Sequence, residues 1–328
     1  MRRLSVALLL VAAAACGSSS PPVAPSPVTQ TPVTPPPPPP PVILTGRVVA
    51  AVTGEALGGL SVLLADKTTT TDADGRFRYE LPPGTVATPR LTVSGSGIVS
   101  HSLSLSIQGS RDVSLDTIPL SGGFDLDYYR QLVRDAYDSP GLLRPLRRWA
   151  RAPHVYLKTV DEAGNPIEAD TLEPVAAALV DDAAAWTGGR FGIAGVERGT
   201  ETREGVSGWI TVKWPVEFDP DVCGRAQIAA DGGWIELDYL NRDCACKSSR
   251  IAPGIVRHEL GHAMGFYHTS QRDDALYPFA QCDRHPSARE RLHAAIAYGR
   301  PFGNTDPDDD PFSLFQRYRP SSPIVIVN

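Results

Sequence analysis

Three of the chain's seven histidines fall within eleven residues, in the run His258-Glu259-Leu260-Gly261-His262-Ala263-Met264-Gly265-Phe266-Tyr267-His268. On an α-helix, His258 and His262 are one turn apart, so both imidazoles leave one face about 6 Å from each other and can share a metal ion. Zinc suits them: neutral imidazole binds it at about 2.0–2.1 Å, and a catalytic site takes three protein ligands and keeps one position open. His268 follows His262 by six residues, which in a continuing helix would carry it about 9 Å along the axis and out of reach. The helix must therefore stop, and Gly265 is where a left-handed residue can end it and turn the chain back. Glu259 is rotated roughly 100° from His258. That sets its carboxylate beside the metal's open side, where it can take a proton from zinc-bound water and later hand it to a leaving amine.

The eleven residues, in the order HExxHxxGxxH, resemble the metzincin zinc metallopeptidases, and the small hydroxyl residue Thr269 after the third histidine makes the run most similar to the matrixins. The resemblance implies His258, His262 and His268 as zinc ligands, Glu259 as general base and acid, and a protein or peptide as substrate. It also implies a Met-turn, a hydrophobic floor beneath the histidines. Here residues 274–278 carry Leu276 in the methionine's place, close to a volume-conserving exchange costing about 1.5 kcal/mol or less. Tyr277, directly after the floor residue, is not expected to be a ligand. Residues 224–240 are similar to the matrixin stretch that runs above the cleft, which would make residues 226–229 an exposed edge to which an extended peptide can add as a further strand.

The elements that must position these residues follow in the order of an α+β metzincin-like domain over residues 152–302. Residues 154–160 read as a strand, 172–186 as a helix with the stripe Val175, Leu179 and Val180, and 209–214 as a further strand. Two more strands flank Gly232-Gly233. Ser248 or Ser249 is placed to cap the histidine-bearing helix, with Pro253 in its first turn, and residues 287–299 form a closing helix. His285 and His293 match no motif and read as ordinary. Residues 121–151 form a connector that opens with a mostly helical pattern ending near Pro140-Gly141.

Ahead of them, residues 42–120 hold short alternating runs at 43–51, 60–65, 76–81, 90–94, 101–107 and 113–115, the pattern of a small antiparallel β-sandwich. Its turns, Gly58-Gly59, Asp72-Ala73-Asp74-Gly75 and Pro82-Pro83-Gly84, resemble the carboxypeptidase-regulatory, transthyretin-like sandwich, some relatives of which bind carbohydrate. An EF-hand beginning at Asp72 is excluded, because Phe77 and Pro83 stand where its glycine and glutamate belong.

Residues 1–16 read as an export signal, with Arg2 and Arg3 ahead of an apolar run too short to span a bilayer. Residues 13–16 resemble a bacterial lipobox, which implies lipidation of Cys16 and an anchor in the cell envelope, at the outer membrane or cell surface. Twelve prolines between residues 17 and 41 make that stretch an extended linker. Removing Cys16 leaves Cys223, Cys244, Cys246 and Cys282, an even number suited to an oxidising compartment. Three connectivities are open, with Cys244 and Cys246 expected to pair outward to Cys223 and Cys282. The acidic run Asp306, Asp308, Asp309 and Asp310 within the tail 303–328 reads as solvated, although the family often binds structural calcium. A net charge of −6 lacks the basic footprint of a nucleic-acid binder.

The reading is a lipid-anchored zinc metalloendopeptidase of the bacterial envelope. Its alternative is a non-catalytic surface lipoprotein binding glycan or protein, with a relic zinc site; Leu276 speaks for the alternative and the intact Glu259 against it.

Overall fold

Alternating apolar positions build the first domain of the computed structural model, which describes residues 36–219, 222–240, 246, 251–279, 282–312 and 324–327. Its strands are β1 (Val42–Ala50), β2 (Ser61–Leu64), β3 (Lys67–Thr70), β4 (Arg76–Leu81), β5 (Arg90–Ser94), β6 (Ile98–Val99), β7 (His101–Ser104) and β8 (Arg111–Pro119). They form two four-stranded sheets, β4-β1-β8-β6 and β3-β2-β5-β7. Leu44, Val48, Phe77, Val62, Leu91 and Val93 meet between them as a buried core. The sandwich is not purely antiparallel as expected, because β1 and β8 pair in parallel, Leu44 opposite Arg111 through Ala50 opposite Thr117. These are the domain's first and last strands, joined by everything between them and not by a hairpin, so no tight turn dictates their direction.

Helix α1 (Leu126–Arg134) follows, capped by Asp125, whose side chain accepts from the backbone of Asp127 and Tyr128. The expected helical connector is real only this far. Asp135 takes a left-handed conformation at φ 64° and ends the helix, and Pro140, Gly141, Pro145 and Pro153 keep the following segment from resuming it.

The second domain is built on a sheet of order β10-β9-β11-β13-β12-β14. Strand β9 (His154–Lys158) leads to helix α2 (Ala169–Asp181), shorter than the sequence pattern implied, and to a separate 3-10 turn, Ala185–Thr187. Strands β10 (Gly195–Gly199), β11 (Trp209–Lys213), β12 (Gly224–Ile228) and β13 (Gly233–Leu237) come next. Pairing is parallel among β10, β9, β11 and β13 and antiparallel between β13 and β12. Helix α3 (Pro253–Ala263) packs on β12 and β13, helix α4 (Ala288–Gly299) packs on the 3-10 turn and α1, and β14 (Ile324–Val327) adds to β12. The edge at β12 is thus occupied in this structure, where the sequence implied it exposed. Among the described residues, no helix is long and apolar enough to cross a membrane.

Residues 40–328 fold as one compact unit, in which Ala51, Val99 and Ile118 of the sandwich share a core with Tyr129, Leu132 and Trp149. The acidic run seals that junction and is not a solvated tail. The Ser102 N–H donates to the Asp308 carbonyl at 3.1 Å, and the Asp310 N–H donates to the Ser102 carbonyl at 2.8 Å. Arg300, fully buried, bridges Asp308 at 2.7 Å and Asp116 of the sandwich at 2.5 Å. Arg130 holds Asp306 at 2.9 Å, and Arg90 pairs with Asp309. Aspartates adjacent in sequence are tolerated here because three arginines from separate parts of the chain, Arg300, Arg130 and Arg90, face them.

Candidate metal centre

Helix α3 begins at Pro253, whose missing N–H costs nothing in a first turn. Ala252 is its N-cap without a side-chain bond; Ser248 and Ser249, expected to cap it, lie outside the described residues. A disulfide between Cys246 and Cys282, with Cα atoms 5.4 Å apart, stands at the helix entrance, and the Gly254 N–H donates to the Cys282 carbonyl at 3.0 Å. Cys223 is also disulfide-bonded, and Cys244 lies outside the described residues.

The helix stops where the histidine spacing requires. Gly265 has φ +108°, and a Cβ there would come within 2.4 Å of the Arg147 carbonyl oxygen, so glycine alone fits. The helix's last carbonyls are satisfied from other elements: the Trp149 indole donates to Ala263 at 2.7 Å and the Tyr298 hydroxyl to Met264 at 2.8 Å. The chain then turns back, with the Tyr267 N–H donating to the Leu132 carbonyl of α1 at 2.8 Å.

This return brings His268 to His258 and His262, with one ring nitrogen of each within 4.8 Å of the others. Each ring is held from behind through Nδ1. That of His258 donates to the Ala275 carbonyl at 2.6 Å, that of His262 to the Phe266 carbonyl at 2.8 Å, and that of His268 to the Asp138 carboxylate at 2.9 Å. A carbonyl only accepts, so the proton of His258 and of His262 sits on Nδ1 and a lone pair on Nε2. These two Nε2 atoms lie 2.9 Å apart. Facing lone pairs at that distance repel unless a cation lies between them, and two nitrogens about 2.0–2.1 Å from one tetrahedral zinc are themselves about 3.3 Å apart. Burial first, then the neighbouring His258 and His268, push the His262 pKa well below its ordinary value and keep the ring in its neutral, ligating form. The donor set therefore fits a zinc ion: the three histidines could hold a metal.

Glu259 is fully buried on the side of α3 that faces β12. Its carboxylate occupies space that Gly224 leaves open, since a Cβ on Gly224 would stand 2.6 Å from Glu259 Oε1. Beneath the helix, Leu276 is buried in the expected floor position, its methyls 3.0 and 3.2 Å from where a Cβ on Gly261 would be.

Several supporting residues escaped the sequence pattern. Asp138, from the connector, carries no motif. Glu290 was visible only as part of a capping box with Ser287; its carboxylate also accepts from the Ala275 N–H at 3.0 Å and the Leu276 N–H at 2.8 Å. It thereby fixes the segment whose Ala275 carbonyl orients His258. Burial and the nearby Asp274 push the Glu290 carboxyl up to about 7. His293 accepts from the Asp125 N–H at 3.0 Å and joins α1 to α4, and His285 pairs with Asp182 at 2.8 Å.

A second cluster, His101, Asp308 and Asp310, also brings possible ligand atoms within 4.8 Å. Its carboxylates already answer Arg300, Asn304 and His101, so structural calcium finds no support there.

Residues 239–277 match Astacin (Peptidase family M12A). The match takes in α3 and all three histidines. Residues 43–121 match the Carboxypeptidase regulatory-like domain. No curated protein matches the chain significantly. Among solved structures, a mutant type II cohesin–X-dockerin complex from Acetivibrio cellulolyticus is 12% identical, with 23% of this chain and 56% of that chain covered and a TM-score of 0.20. A DUF3823 family protein from Parabacteroides merdae is 22% identical over 25% of this chain and 47% of that one, at a TM-score of 0.21. A candidate carbohydrate binding protein from Bacteroides uniformis is 18% identical over 24% and 42%, also at 0.21. The chain spans about half the length of each of these structures.

Proposed function

We propose that the second domain is a zinc-dependent metalloendopeptidase, held at the bacterial cell envelope by a lipid on Cys16 and spaced from the membrane by the proline-rich linker. The observation that carries this reading is the trio of imidazoles, each fixed through Nδ1 and aimed at one point, with the Glu259 carboxylate alongside. Zinc held by His258, His262 and His268 supplies Lewis acidity toward a scissile carbonyl and a water of lowered pKa.

The chain's own residues do the rest. Glu259 takes the proton from the attacking water and returns it to the leaving amine. Its carboxylate is packed against Gly224, which limits where it can sit. Once β14 gives way, the backbone of β12 aligns the peptide as an added strand, which needs no particular side chain for affinity. Asp138, Ala275 and Phe266 hold the imidazoles in the tautomer and orientation that ligation demands. Thr269 after the third histidine is the residue on which the likeness to the matrixins rests. The sandwich, packed on the Arg300 junction, orients the peptidase on its stalk.

The test uses a soluble chain beginning at Val42, with its zinc content measured and a mixed peptide library as substrate, with and without chelator. Chelator-sensitive internal cuts are expected, and Glu259→Gln should keep zinc while losing about 10² to 10⁴ in rate. Stoichiometric zinc without cleavage by any form of the chain would put the non-catalytic surface-binding reading in its place.

A further inference from the structure

Strand β12 stands next to last in the sheet, and β14 pairs with it antiparallel as the edge strand. The register sets Ile324 opposite Ile228, Val325 opposite Gln227, Ile326 opposite Ala226 and Val327 opposite Arg225. The next residue of β12, Gly224, is the one whose Cβ would meet Glu259 Oε1 at 2.6 Å. The segment therefore runs along the edge with its C-terminal end advancing on the proposed general base. Ile326 is buried against Ile228 and Tyr267, and Tyr267 immediately precedes His268. Val325, its neighbour, is exposed. The alternation is that of a strand seated by one face.

A peptide cut beside Glu259 must present its scissile carbonyl near Gly224. If it lies antiparallel to β12, the residues on the N-terminal side of that bond fall opposite Arg225, Ala226, Gln227 and Ile228. Those are the positions β14 fills. The backbone donors and acceptors of one strand edge cannot pair with two partners at once.

We propose that the chain's own segment Ile324–Val327 is a resident competitor for the substrate's edge, and that the peptides able to displace it are extended segments with a β-branched aliphatic side chain seated against Ile228 and Tyr267. This rests on the peptidase reading above. As part of the same chain the segment competes at an effective concentration on the order of millimolar. Its described seat is Ile228 and Tyr267, so it acts on substrate access, and zinc content should not change.

The experiment compares the wild-type chain with Ile326→Asp, which sets a charge against Ile228 and Tyr267, and with a chain ending at Pro323. Amide hydrogen exchange of residues 225–228 reads edge occupancy without reference to activity, and zinc content is measured on all three. Both variants are expected to exchange faster at the edge, to hold zinc equally, and to cleave peptides with kcat/KM raised tenfold or more. The synthetic hexapeptide Pro-Ile-Val-Ile-Val-Asn should then inhibit the shortened chain by raising KM with kcat unchanged, and the same peptide with aspartate at its fourth position should not. Unchanged edge exchange in both variants overturns the proposal, as does faster exchange with unchanged kcat/KM in a chain that cleaves. Faster exchange where no form of the chain cleaves anything upholds the strand's seat on β12 and sinks the peptidase reading instead.

Discussion

Asp138 stands one hundred and thirty residues before His268 in sequence, and its carboxylate accepts the His268 Nδ1–H at 2.9 Å. The other two histidines lean on backbone carbonyls, which no side-chain substitution removes. Asp138 is thus an outer support of the trio that a side-chain substitution can take away. Losing such a partner typically costs 10–100-fold in metal affinity. Asp138→Ala should weaken zinc binding by that factor in a competitive chelator titration, with Asp138→Asn in between because its amide oxygen still accepts. Unaltered affinity in the alanine variant would reduce the contact to a surface ion pair of little energetic weight.

Gly224 gives a test that separates the base from the metal. A methyl group there would meet Glu259 at Oε1, Cγ and Cδ, all within 2.9 Å, so the whole carboxylate end must shift. The three atoms nearest that methyl all belong to Glu259, and no histidine is among them. Gly224→Ala should lower kcat by up to about 10²-fold, the scale of a 1 Å misplacement, while zinc affinity stays at the wild-type value. A parallel fall in zinc affinity would show instead that the strand and helix had separated.

The floor under α3 follows a similar logic. Leu276 fills the place of a methionine and packs where Gly261 leaves room, so Leu276→Met should shift stability by less than about 1.5 kcal/mol. Leu276→Ala should cost about 2–5 kcal/mol through the cavity it leaves. Denaturant midpoints on the zinc-loaded chain check both. A large loss in the methionine variant would mean that the segment 274–278 has been reshaped around leucine.

What the sequence made legible is local. The one-turn spacing of His258 and His262, the stop at Gly265 and the Pro253 start all rest on the period and caps of a single helix, and the structure has each of them. The apolar positions of β1, β4 and β5 were readable for the same reason, from period-two alternation. Asp138, Glu290 and the β12–β14 pairing were not, because each joins residues far apart in the chain and none disturbs a local pattern. The aspartates at 306–310 show the same limit in electrostatics. Four carboxylates in five residues read as solvated until Arg300, Arg130, Arg90 and His101 arrive from elsewhere. The connector failed differently: Tyr128, Tyr129, Leu132 and Val133 have a true helical face, but the pattern carries no count of turns, and Asp135 ends it early.

The junction sealed by those aspartates should depend on pH through His101, which lies buried between the domains with Nδ1 on the Asp116 carbonyl at 2.7 Å and Nε2 3.3 Å from Asp310. Burial lowers its pKa and Arg300 opposes its charge, but the bond to Asp310, the charge of Asp308 and the Asp116 carbonyl together raise it above the ordinary value. The Asp310 carboxyl is burdened by burial and yet held below its usual range by His101, Asn304 and Arg300, so the two partners shift in opposite senses, as an ion pair requires. A histidine whose folded pKa exceeds its unfolded one binds its proton more tightly in the native state. Its stabilisation is complete below the unfolded value of about 6.5 and is lost as pH rises through the folded one. The aspartate's contribution is present above its unfolded pKa and lost as pH falls through the depressed one. The wild-type chain should therefore lose its advantage over His101→Asn as pH climbs above about 6.5, with the difference in denaturant midpoint largest in mildly acidic solution. A difference that stays constant from mildly acid to mildly alkaline pH would show that His101 is neutral in the fold and that the arginines and backbone bonds secure the junction without its charge.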